Sequence, residues 1–168
     1  GGWRIHGRGQ RPGPERAQVG YRFLHSALDD RTRIVYSEIH TNEQAVTAAA
    51  FWARANRFFN TLGITVERVL TDNGSCYRSR RWRTTLNEAG IIAKFTRPYR
   101  PQTNGKIERY HRILLEEWAY TRDWHTDQER SAHYDHFVHF YNHHRAHGAL
   151  GWSTPMSTLK DNVPGQHN

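Results

Sequence analysis

The chain has 168 residues, the size of one ordinary domain with its own hydrophobic core. Its 24 lysines and arginines against 16 aspartates and glutamates give a net charge of +8, which favours a polyanionic partner, above all nucleic acid, over a membrane surface. No run of about 18 apolar residues and no signal-peptide pattern occurs, and the single Cys76 excludes a disulfide framework and a cysteine-based zinc site. We therefore expect a cytoplasmic protein without a membrane span, in which Cys76 is a passive thiol.

Residues 1–20 are basic and show no periodicity. They hold six glycines, four arginines and two prolines, a composition typical of flexible chain. The sequence opens with Gly1 in place of methionine, so we also expect a longer gene product. We predict a flexible, basic lead-in over 1–20.

A β-hairpin is predicted directly after this lead-in. The runs YRFLHSAL (21–28) and RIVYSEI (33–39) are rich in aromatic and β-branched residues. Between them, residues 29–32 are polar and include two aspartates, which favour a turn.

The remaining elements follow from apolar periodicity and from Gly and Pro positions. A helix with apolar residues from Ala45 to Leu62 begins at a capping box of Thr41 and Gln44 and ends at Gly63. Further elements are a strand over 64–70, a short helix over 79–89 that ends at Gly90, and a strand over 91–95. Helices over 105–119 and about 127–145 complete the chain. This order of strands and helices predicts the α/β class.

Two acids stand at positions typical of a site. Asp72 follows a strand in the turn signal TDNG, and Glu108 lies on a helix reached through a proline-containing loop. Carboxylates hold Mg²⁺ or Mn²⁺, and two such ions about 4 Å apart catalyse phosphoryl transfer. The alternatives are structural: Asp72 as a turn former, and Glu108 in an ion pair with Arg112 one helical turn later.

The segment RPYRPQTNGKIERYHR (97–112) surrounds Glu108 with positive charge. A lone acid there repels DNA phosphate unless it binds a cation that the phosphate then contacts. Asn104 is predicted to open the helix and leave its N-terminus free for phosphate. Tyr99 and Tyr110 are possible base-stacking or backbone contacts. The predicted basic DNA contacts are Arg97, Arg100, Lys106, Arg109 and Arg112.

Four segments together resemble the integrase core family, which comprises retroviral-type integrases and transposases of bacterial insertion sequences. LTDNGSCY and RPYRPQTNGKIER, with 35 residues between Asp72 and Glu108, resemble the second and third members of the family's Asp, Asp, 35-residue, Glu signature. YRFLHSALDDRTRIVYSEI resembles its second and third strands, and YNHHRAHGALGWSTP resembles the tail of its insertion-sequence branch.

This resemblance implies a ribonuclease H-like mixed sheet flanked by helices, with an integrase-type catalytic core over 21–150 and a tail over 151–168. It implies a DDE-type polynucleotidyl transferase in which Asp72 and Glu108 hold two Mg²⁺ or Mn²⁺ ions. The implied reaction is DNA nicking followed by strand transfer from a 3′-hydroxyl. Transposon ends and target DNA would be the partners of a homo-oligomer in the bacterial nucleoid.

The family's first acid stands on a first strand ahead of Tyr21. Nothing in GGWRIHGRGQ reads as that strand, so we expect a core truncated at its N-terminus that lacks its first strand. Asp29 and Asp30 are the other candidates for the first acid, but they match turn formers.

Two other functions stay open because of this missing acid: a catalytically incomplete DNA-binding remnant, or a metal-dependent nuclease of the same fold. A zinc site of His136, His139 and His143 is a further alternative, to which solvated histidines on a DNA-facing helix are preferred.

Overall fold

The structure, a computed structural model, describes residues 2–4, 21–96, 104–121 and 126–162. Three strands come first and helices are interspersed with the later strands, which confirms the α/β class. The elements are β1 (Gly2–Arg4), β2 (Tyr21–Leu28), β3 (Val35–His40), α1 (Ala45–Thr61), β4 (Arg68–Thr71), α2 (Ser75–Arg78), α3 (Arg80–Glu88), β5 (Ile92–Phe95), α4 (Gly105–Leu114) and α5 (Asp127–His143).

The predicted hairpin is confirmed. Strands β2 and β3 pair antiparallel over Phe23–Leu28 and Val35–His40. In the turn, one carboxylate oxygen of Asp29 accepts hydrogen bonds from the Thr32 amide and hydroxyl, both at 2.7 Å. Asp29 is therefore the turn former that the sequence indicated.

A short strand precedes the hairpin, contrary to the sequence prediction. Gly2–Arg4 pairs antiparallel with residues 21–23 of β2, on the edge opposite β3. Three residues are too few to show a strand period, and the pairing satisfies backbone groups of β2 that the hairpin leaves open. The rest of the predicted lead-in, residues 1 and 5–20, lies outside the described part of the chain.

The second sheet consists of β4 and β5, which are parallel and in register from Arg68 opposite Ile92 to Thr71 opposite Phe95. A single mixed sheet was expected, but the described strands form one antiparallel and one parallel sheet. The predicted strand over 64–70 is too long at its start. Ile64 and Val66 pack against the core instead, as the chain crosses from α1 to the sheet.

Local signals at the helix ends are partly confirmed. Gly63 follows α1 with φ +75°, a conformation that glycine adopts without strain. The prediction of a capping box of Thr41 and Gln44 is wrong. The Asn42 side-chain oxygen accepts hydrogen bonds there instead, from the Gln44 amide at 3.1 Å and from the Thr47 hydroxyl at 2.6 Å.

The short helix predicted over 79–89 is α3, preceded by the separate single turn α2. The Ser79 hydroxyl caps α3 by accepting from the Trp82 amide at 3.1 Å. Gly90, with φ +68°, ends the helical segment as predicted.

Helices cover both faces of the β2–β3 pair. On one face, α1 and α3 form a first core with the parallel sheet, centred on Trp52 and Trp82. On the other face, α4 and α5 form a second core that contains Tyr110, Trp118 and Tyr134. The result is a layered α/β arrangement with a core on each side of the hairpin.

The C-terminal half is helical. Helix α4 continues into a π-helical turn over Leu115–Ala119, which together match the helix predicted over 105–119. After α5, the chain forms two short 3₁₀ helices, Gly148–Leu150 and Met156–Asn162, of which the second lies within the predicted tail. None of the described helices combines the length and the apolar character that crossing a membrane requires.

Candidate active site

Asp72 stands directly after β4, at the carboxyl end of the parallel sheet, and its side chain is exposed. One of its carboxylate oxygens, Oδ1, accepts a hydrogen bond from the Gly74 amide at 2.9 Å. The structural alternative is therefore real, because Asp72 does form a turn. Its other oxygen, Oδ2, has no hydrogen bond to a described residue, so turn formation and metal binding are compatible.

The two residues after Asp72 fix this turn. Asn73 donates its side-chain amide to the Thr96 carbonyl at 3.0 Å, and the Thr96 amide donates to the Thr71 carbonyl at 2.9 Å. A β-carbon on Gly74 would lie 2.9 Å from Asp72 Oδ1, closer than atoms of this kind approach. Asn73 and Gly74 are thus positioning residues that sequence reasoning recognised only as a turn signal.

Glu108 lies in the first turn of α4 and is exposed. A carboxylate there interacts favourably with the helix dipole. Arg112 lies one turn later, but among the described residues no ion pair joins its side chain to that of Glu108. The alternative explanation of Glu108, an ion pair with Arg112 that stabilises the helix, is therefore not supported. Helix α4 is anchored from its other face, where Tyr110 and Leu114 are completely buried.

Tyr110 is not a DNA contact, contrary to one sequence hypothesis. Its hydroxyl lies 3.1 Å from that of Tyr134, and the Tyr134 hydroxyl in turn donates to Ser37 on β3. Burial raises the pKa of Tyr110 well above its usual value, so the phenol stays protonated and available to this buried network.

The predicted basic contacts have different environments. Lys106 forms an ion pair with the Asp30 carboxylate and also donates to the Asp30 carbonyl at 3.2 Å, so it joins α4 to the hairpin turn. Arg109 and Arg112 are exposed on α4. Arg97 and Arg100 lie outside the described residues, as does Tyr99.

Asn104 precedes α4 at the N-cap position, but its side chain makes no capping hydrogen bond. The predicted capping by Asn104 is therefore wrong, because the backbone of this residue does not adopt the extended conformation that capping side chains require.

The chemistry of the two acids fits a hard divalent cation, since exposed carboxylate oxygens are its usual ligands. Two carboxylates would supply only part of the ligands of such a cation. Within residues 2–4, 21–96, 104–121 and 126–162, no three histidines, cysteines, aspartates or glutamates are placed to share a metal ion. The same finding covers His136, His139 and His143, which do not form the three-ligand zinc site that the sequence left open. Cys76 is buried, which raises the pKa of its thiol, as expected of a passive thiol.

Comparison with known families gives two matches, both to the integrase core domain. One family model matches residues 9–101 and a second matches residues 89–155.

Two curated relatives show similar coverage. A protein of Spiroplasma virus SpV1-C74, provisionally named integrase ORF3, is 27% identical over 153 residues, which are 82% of this chain and 41% of the viral protein. The transposase InsD for insertion element IS2A/D/F/H/I/K of Escherichia coli is 30% identical over 122 residues, 71% of this chain and 40% of the transposase. The chain spans less than half the length of these two relatives.

Solved structures show the same fold. The crystal structure of the catalytic core domain of BIV integrase superposes with a TM-score of 0.64 at 22% identity, over 82% of this chain and 85% of that one. A chain of the simian T-cell lymphotropic virus intasome in complex with PP2A regulatory subunit B56 gamma gives a TM-score of 0.68 at 19% identity, over 99% and 55%. The expected ribonuclease H-like fold is confirmed.

Proposed function

Because the chain belongs to the integrase core domain family, we propose that it is the catalytic core of an insertion-sequence transposase that cuts and joins DNA by phosphoryl transfer. The observation that carries the proposal is the pair of exposed acids at the family's signature positions. Asp72 is held by a fixed turn at the end of β4, and Glu108 stands on α4 without its expected ion-pair partner.

In this function, Asp72 Oδ2 and the Glu108 carboxylate would hold a divalent cation. Such a cation, when bound, lowers the pKa of an attacking hydroxyl or water and stabilises the leaving oxygen. The chain's own contribution is to present the carboxylates from rigid elements. Asn73 and Gly74 set the direction of Asp72, and the buried face of α4 holds Glu108 outward.

DNA would be bound through the basic face of α4. Arg109 and Arg112 flank Glu108 there and are exposed, so they can neutralise phosphates next to the acid. Lys106, already paired with Asp30, would contribute less. We further propose that Arg97, Arg100 and Asn104 line the same path, and that transposon ends and target DNA are the substrates of a homo-oligomer in the bacterial cytoplasm, at the nucleoid.

The test combines metal binding with DNA binding. Asp72→Asn and Glu108→Gln should each abolish Mn²⁺ binding measured by calorimetry, while affinity for duplex DNA stays equal or rises because a negative charge is removed near phosphate. Glu88→Gln, which changes another exposed acid at the end of α3, is the matched control and should bind Mn²⁺ like the unchanged chain. Unchanged Mn²⁺ binding in both site variants would return the two acids to structural roles.

A catalytically incomplete DNA-binding protein is the second candidate, and one observation favours it: the described residues bring no third acid to Asp72 and Glu108. Nicking of supercoiled plasmid with Mg²⁺ separates the candidates. Nicking that Asp72→Asn and Glu108→Gln both abolish supports the enzyme, whereas tight DNA binding without nicking supports the binder. A nuclease of the same fold would nick plasmid but would not join a 3′-hydroxyl end to a second DNA.

A further inference from the structure

Trp152 is the most exposed large apolar side chain in the described part of the molecule. Its side chain is 77% exposed, whereas Trp52, Trp82 and Trp118 are each 5% exposed or less. No hydrogen bond or ring contact to another described residue involves the Trp152 indole. One edge of the indole lies beside Gly148, where an added β-carbon would be 4.0 Å from Cζ2. Because most of the side chain is exposed, the fold gains little from burying this ring.

The backbone at Trp152 is also unfavourable for its residue type. Gly151 has φ +60° and Trp152 has φ +66°, so two consecutive residues adopt the left-handed conformation. Glycine does so freely, but a bulky side chain is rare there because its β-carbon crowds the backbone. A residue that strains the backbone and is not buried calls for a reason outside folding.

The turn that carries Trp152 is fixed at both ends. His147 and Ser153 form a β-bridge, and the His147 carbonyl accepts from the Trp152 amide at 3.0 Å. On the core side, the His147 ring packs edge-on against the buried Tyr141, with ring centroids 4.7 Å apart. The Trp152 ring is thus presented from a rigid support, which lowers the entropy lost when it binds a partner.

The exposed face of the ring suits a planar aromatic partner, and the positive charge of the chain favours a nucleobase as that partner. A net charge of +8 attracts nucleic acid, and nucleobases stack on exposed aromatic rings in a largely sequence-independent way. Bases within a duplex are already stacked on each other. A ring on a turn can therefore reach only an unpaired base, as found at a frayed or cleaved end.

We propose that Trp152 is a DNA-end contact that stacks on an unpaired base. The proposal rests on the proposed function, because it assumes that DNA is the substrate. It adds a residue that distinguishes DNA ends from continuous duplex, a task for which the acids on β4 and α4 have no suitable group.

The experiment compares two fluorescent probes by anisotropy: a blunt duplex, and the same duplex with a short single-stranded end. Trp152→Gly removes the ring and suits the left-handed backbone, so the variant should melt no earlier than the unchanged chain. Its affinity for the probe with the unpaired end should fall by about 5- to 100-fold, with a change of less than about twofold for the blunt duplex. Trp152→Phe should keep most of the affinity.

Phe140→Ala is the matched control, since Phe140 is another exposed aromatic and belongs to α5, outside the turn that carries Trp152. It should affect both probes equally and weakly. Equal losses on both probes with Trp152→Gly, or no loss on either, would overturn the proposal.

Unchanged DNA binding with a weakened self-association in sedimentation would also overturn the proposal, because a second copy of the chain would then be the partner of the ring. If the unchanged chain binds neither probe, the proposed function itself fails, and that outcome is distinct from a chain that binds both probes without using Trp152.

Discussion

Replacing Asn142 tests how α5 is attached to the sheet. The Asn142 side-chain oxygen accepts from the Val35 amide at 2.9 Å, and its nitrogen donates to the Val35 carbonyl at 2.8 Å. Both residues are buried, so the Asn142 amide takes the place of a neighbouring strand along β3. Asn142→Leu would leave two buried backbone groups of Val35 without partners.

Each unpaired buried group costs about 1–3 kcal/mol, and the added apolar side chain recovers about 1 kcal/mol. We therefore expect Asn142→Leu to lower the free energy of unfolding by about 1–5 kcal/mol, a large part of the roughly 5–15 kcal/mol of a whole domain. Urea denaturation measures this directly. Asn87→Leu, at an exposed site on α3, should stay within about 0.5 kcal/mol of the unchanged chain.

A second variant separates pairing from packing. Asn142→Asp keeps an acceptor for the Val35 amide but, as a carboxylate, cannot donate to the Val35 carbonyl. Only the protonated carboxyl can, so folding would raise the pKa of the new Asp. The resulting stability would be present at acid pH and lost as the pH rises through that pKa. A loss below about 0.5 kcal/mol in Asn142→Leu, or no acid recovery in Asn142→Asp relative to the unchanged chain, would refute the reasoning.

Three further outcomes are expected. Gly74→Ala should displace the Asp72 carboxylate, since its β-carbon would lie 2.9 Å from Oδ1, and should weaken Mn²⁺ binding in calorimetry while leaving the melting temperature nearly unchanged. His25 is buried, and burial lowers its pKa, so the stability that the neutral ring contributes is present above about pH 6.5 and lost as the pH falls. His25→Phe should therefore make the free energy of unfolding, measured by urea denaturation, less dependent on pH between neutral and mildly acid pH. Arg112→Ala should reduce the slope of log affinity against log salt by about one in a DNA titration, and Lys106→Ala, whose side chain is already paired, by less.

Local signals account for what the sequence could predict of the fold. The hairpin, the helix stops at Gly63 and Gly90, and the apolar face of the helix that begins at Ala45 each depend on neighbouring residues or on one helical period. Such signals operate within one element, so they can be interpreted without knowledge of the tertiary structure.

Contacts between distant segments could not be predicted in this way. Asn142 and Val35 are 107 residues apart, and the Lys106 side chain meets Asp30 across 76 residues. No local rule distinguishes an asparagine that completes a strand from one in solvent. Tyr110 is the instructive error. Its basic neighbours suggested DNA contact, but it shares a helix face with Leu114, and that spacing was the signal for burial.

In the candidate site, too, one part depends on local signals and the other on contacts between distant segments. The position of each acid follows from motifs, and the turn around Asp72 is local, so Gly74 and Asn73 fix it through β4 and β5 alone. Glu108 depends on α4, which packs in the other core through Tyr110 and Leu114.

The two acids are therefore held by cores on opposite faces of the β2–β3 pair. The distance between them depends on the tertiary structure and cannot be predicted from the number of residues that separate them in the sequence. Under the proposed function, a cation that binds both acids ties these cores together and stabilises the folded chain by mass action. A cavity made in either core, far from both carboxylates, would then weaken cation binding by shifting one acid relative to the other. A site carried by one loop would not respond in this way.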